Sequence, residues 1–307
     1  MSDYTELREH LLAQGRSERT VASYLSDIAH FARWLDKTGA KQLRPGGFSP
    51  SDVRQYKRYL QTVKNAAAST VNRRLTALRA YSQWALSSGK TQRDSLLGIK
   101  SVSGGKSNPK VLDRREQTAI LEEASNSLSS ATTRASRRQA LRDLAIVLTL
   151  LHTGLRVSEL CSLELQDLDL EPHRGAVNVK SVNGRKSRAV PLNSDARQAM
   201  QSWLAVRPQV ENQAIFVGKH GEPASPLLVQ RLLSELGKRA GLNVTPHTLR
   251  HTFAKNLVEQ GVSLEKVAQL LGHRDLNATK VYSSSEQTDL AWAVEALVER
   301  RTEFIEV

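Results

Sequence analysis

Two arginines, two histidines and one tyrosine in the second half of the chain could break and rejoin a phosphodiester bond without a metal ion. Arg156 stands in Thr-Gly-Leu-Arg-Val-Ser-Glu-Leu at 153–160. His247 and Arg250 stand in Thr-Pro-His-Thr-Leu-Arg-His at 245–251, His273 ends Leu-Gly-His at 271–273, and Tyr282 follows nine residues later. When a side-chain oxygen attacks a phosphodiester, the pentavalent transition state gathers negative charge on its equatorial oxygens. Arginine offers a planar fork of donors matched to that charge. The nucleophile must lose a proton and the leaving oxygen must gain one. A phosphate ester formed on the protein keeps the bond energy, so rejoining needs no ATP.

Taken singly, each residue also fits an ordinary role. Arg156 fits a surface arginine on a turn, His273 a polar residue at a helix end, and Tyr282 a packed or surface tyrosine. His247 and His251 are four apart and could share a zinc ion on one helix face. Thr248, however, stands where the zinc-protease pattern His-Glu-x-x-His has its glutamate. His251 then reads as a packed histidine or a support to the residues around it. The chemical reading rests on the order, the spacing and the capping residues together.

Those residues need elements to hold them. In the first hundred residues, Ser17 can cap a helix whose apolar positions Val21, Tyr24, Leu25, Ile28, Phe31, Trp34 and Leu35 recur at helical spacing, ending at Gly39. Ser49-Pro50-Ser51-Asp52 starts a second helix, continued by Val53, Tyr56 and Leu60. Ser69 or Thr70 opens a third, with Val71, Leu75, Leu78, Tyr81 and Trp84 on one face and Gly89 closing it. The aromatics read as core. Lys57, Arg58, Lys64, Arg73, Arg74 and Arg79 form polar faces that are either solvated or turned to nucleic acid.

Residues 101–110 lack apolar periodicity and read as a linker whose lysines would suit a phosphate backbone. Beyond it, Asp113 and Glu116 resemble a capping box before a helix, 125–139 read as a polar loop, and 141–151 as a long apolar helix. That helix ends at Thr153-Gly154, and the next begins around Val157. Residues 176–180 and 187–192 alternate like strands, with Asn183-Gly184 as a two-residue hairpin turn between them. Helical patterns return from Ser194. Thr245 and Pro246 start the helix of His247 and Arg250. Gly261 ends it, Ser263 caps the next, and Gly272 closes that one before His273. The fold class expected is mainly α with a small β-sheet, divided into 1–100, a linker at 101–110, and an α+β domain at 111–307.

The chain has 307 residues, enough for two ordinary domains. Lys and Arg number 44 against 31 Asp and Glu, a formal net charge of +13. Such an excess favours polyanions, nucleic acid before an anionic membrane surface; a merely basic soluble protein is the plain alternative. Cys161 is the only cysteine, which rules out an internal disulfide and a cysteine-rich zinc site and suits apolar packing. No run approaches the ~20 apolar residues that span a bilayer, and the N-terminus lacks a signal-peptide layout. A cytoplasmic protein that meets nucleic acid there is the expectation.

Jointly, the segments at 153–160, 246–252 and 270–282 resemble the tyrosine recombinases of the Xer and phage-integrase family, and the resemblance extends over essentially the whole chain. It implies an N-terminal helical core-binding domain and a C-terminal catalytic domain forming a two-domain, C-shaped clamp around double-stranded DNA. It implies that Arg156 and Arg250 hold the scissile phosphate, that His247 manages the proton of the attacking tyrosine, and that His273 hydrogen-bonds the phosphate. Tyr282 would form a 3′-phosphotyrosyl link and free a 5′-hydroxyl, which then attacks the partner strand's link, with no metal or cofactor. It further implies paired inverted sites and a homo-tetramer on synapsed DNA, and it is compatible with a monomer in solution. DNA-bound protein would sit with the nucleoid.

The chain departs from the family at one position. Relatives carry a catalytic lysine, the acid for the leaving 5′-oxygen, in a hairpin of the form Gly-Lys-Gly-x-Lys-x-Arg-x-Val-Pro-Leu. Counting back from Val190-Pro191-Leu192 places Asn183 where that lysine would stand. Lys180 and Lys186 flank the turn, and Lys180 is preferred because a small register change in its strand would present it. A segment at 290–301, with Leu290, Val294, Leu297 and Val298 on one face, packs within the chain or, by the resemblance, docks into a neighbouring subunit. The missing lysine supports a second reading, a sequence-specific DNA-binding protein that has lost catalysis. A nicking-closing topoisomerase uses similar residues but would not need a subunit-linking helix.

Overall fold

The computed structural model describes residues 2–39, 42–103, 110–171, 173–180, 187–272, and 294, 295 and 297. The Asn183-Gly184 turn, Lys186, His273, Tyr282 and most of 101–110 and 290–301 lie outside the described residues. The chain divides into two compact units, Met1–Asn108 and Pro109–Val307.

The first unit is helical: α1 (Ser2–Ala13), α2 (Glu18–Gly39), α3 (Pro50–Thr62) and α4 (Ala68–Ser87). Ser49 caps α3 as its sequence requires. Its hydroxyl accepts from the backbone N–H of Asp52, whose carboxylate accepts from the backbone N–H of Ser49 at 2.8 Å, with Pro50 in the first turn. Phe31 on α2 stacks edge-on against Tyr56 of α3, ring centroids 4.9 Å apart, and against Phe48 at 5.1 Å. With Val21, Ile28, Leu60, Leu75, Leu78 and Trp84 these rings form the buried core, so the aromatics at helical spacing are packing residues. Helix α1 is not among those the spacing predicts, because only Leu7 and Leu11 mark its buried face.

The second unit holds α5 (Arg114–Ser129), α6 (Arg134–Thr153), α7 (Val157–Cys161), a 3-10 turn at Leu165–Asp167, β1 (Leu168–Leu170), β2 (Gly175–Val179), β3 (Arg188–Pro191), α8 (Ser194–Val206), α9 (Pro226–Arg239), α10 (Pro246–Glu259) and α11 (Leu264–Leu271). The molecule is mainly α with a small sheet, as the sequence leads one to expect. Strand order is β1-β2-β3, both pairs antiparallel, with Val177 opposite Leu168 on one side and Val190 on the other. Helix α6 runs through the core and packs against α5, α8 and α10, burying Leu144, Val147, Leu148, Leu150 and Leu151.

The polar loop expected at 125–139 is corrected to a four-residue connection, 130–133. Helix α5 runs on to Ser129, and α6 starts at Arg134 behind a Thr133–Ser136 capping box. The serines there do not break helix; Ser127 and Ser130 turn their hydroxyls back onto the carbonyls of Glu123 and Asn126 at 2.9 and 2.7 Å. Among the described residues no helix is long and apolar enough to cross a membrane.

Candidate active site

Gly154 shapes the first wall of the site. It ends α6 in the left-handed region, φ +61°, and its N–H caps Leu150 O. A Cβ there would lie 2.4 Å from Phe253 Cδ1 and 2.8 Å from Leu271 Cδ2, so α10 and α11 approach the turn as closely as only glycine allows. The chain then turns into α7 with Arg156 as its N-cap residue. The Arg156 N–H donates to Glu159 Oε2 at 2.8 Å, and its guanidinium Nη1 donates to Glu159 Oε1 at 2.9 Å and Leu271 O at 3.1 Å.

Arg250 reaches the same place from α10. Its Nη1 donates to Gly154 O and its Nη2 to Leu271 O, both at 2.6 Å, and Nη1 lies 3.9 Å from Glu159 Oε2. The carbonyl of Leu271 thus accepts from both arginines. The helix carrying Arg250 begins where the sequence requires: Thr245 caps α10 by accepting from Thr248 N–H, with Pro246 in its first turn. His247 is exposed one turn before the buried Arg250. His251 is exposed too. Burial, then the charges of His247 and Arg250, lower its pKa from the usual histidine value.

A third guanidinium, Arg188 at the start of β3, completes the cluster. Nη2 and Nη1 donate to the two oxygens of Glu159 at 2.9 and 3.2 Å, and Nε donates to Leu270 O at 2.6 Å. Burial pushes the Glu159 carboxyl up, but hydrogen bonds from Arg188 and the Arg156 backbone, with the charges of both arginines, outweigh it and hold it below its ordinary value. Three cations around one shared carboxylate leave net positive charge in a poorly hydrated place, which suits a phosphate. Neither Arg188 nor Glu159 stands out as a site residue in the sequence. The available signal was their place in the two patterns, Glu159 three residues after Arg156 and Arg188 two before Val190.

Lys180 is held elsewhere. It follows β2, and its ammonium sits 2.5 Å from Glu164 Oε2 and 3.4 Å from Asp167 Oδ1. The hydrogen bond it donates to Glu164 leads the causes that raise its pKa, which makes it a weaker acid. The preference for Lys180 as proton donor therefore loses its geometric basis. Of the basic positions in the first unit, several are engaged internally: Arg73 pairs with Asp27, Arg79 donates to Ile99 O at 2.7 Å, and Lys57 donates to Lys100 O at 2.8 Å. Arg58 and Lys64 are exposed. Cys161 is a partly buried free thiol whose pKa burial pushes up to about 11.

Residues 110–288 match the phage integrase family, and residues 4–89 match the phage integrase N-terminal SAM-like domain. The chain is 32% identical over 294 residues to tyrosine recombinase XerD of Listeria monocytogenes serotype 4b, covering 92% of this chain and 94% of that one. It is 31% identical over 279 residues to tyrosine recombinase XerC of Corynebacterium glutamicum, covering 90% and 84%. Its fold is similar to that of XerH recombinase bound to palindromic difH substrate in a post-cleavage complex, at TM-score 0.68 and 21% identity over 89% of this chain and 78% of that one. It is likewise similar to a lambda integrase dimer bound to a COC′ core site, at TM-score 0.65 and 19% identity over 100% and 98%. With more than half of the chain inside the family match, and relatives at this identity aligned over nearly their full length, the chain belongs to the phage integrase family of tyrosine-type site-specific recombinases.

Proposed function

We propose that this chain binds double-stranded DNA at paired inverted sites and exchanges strands through a 3′-phosphotyrosyl intermediate, in the service of integration, excision or resolution. The observation that carries the reading is the convergence of Arg156 and Arg250 on Leu271 O, two residues before His273 and eleven before Tyr282. The two arginines hold the equatorial oxygens of the scissile phosphate, and His273 adds a hydrogen bond. Tyr282 Oη attacks phosphorus while His247 manages its proton, and the bond to the 5′-oxygen breaks as that oxygen takes a proton from a lysine. The 5′-hydroxyl released then attacks the partner strand's phosphotyrosyl link, which returns Tyr282 to its free form. Bond energy is conserved, so no high-energy cofactor enters.

Residues 1–100 would grip the DNA as a core-binding domain, 101–110 would link, and 111–307 would carry the chemistry, with four protomers on two synapsed sites in the cytoplasm. The proton donor is assigned to Lys186 in preference to Lys180. Lys186 stands two residues before Arg188 in the sequence, and Arg188 belongs to the cluster. The second reading, DNA binding without catalysis, draws on Asn183 at the position of the family's lysine.

The test is a nicked duplex carrying the site this protein selects from random-sequence DNA, incubated in EDTA. A covalent protein–DNA band that disappears in Tyr282→Phe, with binding retained, supports recombinase chemistry. Binding without any band favours the silent protein.

A further inference from the structure

Arg188 belongs to a strand, yet it bonds a helix end as well as the Glu159 carboxylate. Helix α11 ends at Gly272, φ +63°. The last carbonyls of a helix have no partner within it. Here guanidiniums serve them: Arg188 bonds Leu270 O, Arg156 and Arg250 bond Leu271 O, and Arg156 reaches Gly272 O at 3.5 Å. Positive charge is favourable at this end of a helix. Contact with Arg188 is close enough that a Cβ at Gly272 would lie 2.9 Å from its Nη1. Arg188 is nine-tenths buried and forks onto both oxygens of Glu159. Its Nε bond and its fork use the two ends of one rigid plane, so the position of α11 is set relative to Glu159 and β3 together. His273 is joined to Gly272 by a single peptide bond.

We propose that Arg188 is a positioning residue for the recombination chemistry, fixing against Glu159 the end of α11, which bonds Arg156 and Arg250 and whose chain leads directly into His273. The inference rests on the phosphotyrosyl reading above. Arg156 and Arg250 are carried by other elements and touch the phosphate directly; Arg188 acts through the helix end. Lysine at 188 would keep the charge but not the Nε donor and the fork at once.

The experiment compares wild type, Arg188→Lys, Arg188→Ala, His273→Ala and the Arg188→Ala/His273→Ala double variant on the same selected, nicked duplex. Melting curves report folding, gel shifts report affinity, and the rate of covalent-band formation reports chemistry. We expect affinity within about threefold of wild type and band formation slowed on the order of 10- to 100-fold in both Arg188 variants. The double variant should stay within about twofold of His273→Ala alone, because Arg188 acts through the same segment. Wild-type rates in the Arg188 variants, or a double variant slowed by the product of the two single effects, would overturn the proposal. Should Arg188→Ala fail to fold, the lysine variant, alone and combined with His273→Ala, carries both comparisons. A wild type that forms no band overturns the phosphotyrosyl reading instead.

Discussion

Arg188 and Glu159 meet as a fork, Nη2 at 2.9 Å from Oε2 and Nη1 at 3.2 Å from Oε1, with both side chains about nine-tenths buried. The same carboxylate takes the backbone N–H and the guanidinium of Arg156. One negative group therefore offsets part of the charge of a cluster of positive ones in a poorly hydrated place. Removing one partner of such a pair leaves buried charge without compensation.

Glu159→Gln, which keeps the shape and removes the charge, should lower stability by roughly 3–5 kcal/mol near neutral pH, read by denaturant unfolding. The gap should narrow in acid. The folded pKa of Glu159 lies below its ordinary value of 4.5, so its contribution is present above that pH and is lost as pH falls through the folded pKa. A variant as stable as wild type at pH 7 would mean that the cluster tolerates its own charge.

Gly154→Ala should destabilise the second unit more than an ordinary surface substitution. A left-handed φ costs a non-glycine residue about 1–3 kcal/mol, and the added carbon would meet Phe253 and Leu271. At about 2–4 °C per kcal/mol for a unit of this size, the melting temperature should fall by more than about 4 °C. An unchanged melting curve would show that the α6–α7 turn relaxes freely.

His152, two residues before Gly154, is buried, and neither ring nitrogen has a hydrogen-bond partner among the described residues. Burial drives its pKa down to about 4, only partly opposed by the charge of Glu295. Its folded pKa lies below the ordinary 6.5, so the unfolded chain binds the extra proton first. The neutral ring's contribution is complete above about pH 6.5 and drains away as pH falls toward 4, by roughly 3 kcal/mol in all. His152→Leu should flatten stability over that window in a pH series of melts. An equally steep profile in the variant would assign the acid sensitivity to other groups.

Lys186→Ala should slow covalent-band formation more than Lys180→Ala does, because Lys180 is held by Glu164 and Asp167. A lost general acid costs on the order of 10²–10⁴ in rate. The reverse ranking would mean that the hairpin reorganises on DNA to release Lys180 from its carboxylates.

Much of this was written in local chemistry. Capping residues announced α3, α5, α10 and α11, and helical spacing marked the cores around Phe31 and Leu148, because caps and periodicity are decided within a few residues. The serine-rich end of α5 was obscured because a side-chain-to-carbonyl bond lets Ser127 sit in a helix that the local composition disfavours. Arg156 and Arg250 could be picked out by pattern. Glu159 and Arg188 could not be joined to them, since Arg188 is 29 residues from Glu159 and only the packing of β3 on α11 brings it there. The partners of Lys180 were hidden for the same reason: its sequence position suited the hairpin, while its carboxylate partners come from the segment before β1.

The central claim is that Tyr282 becomes linked to a 3′-phosphate. The most direct measurement traps the adduct on the nicked duplex, digests DNA and protein, and identifies the nucleotide-bearing peptide by mass spectrometry. The account predicts a single modified peptide with the phosphate on Tyr282, bonded to the 3′-oxygen of the nucleotide. A nucleotide on any other residue, or a 5′-phosphate on Tyr282, would contradict it.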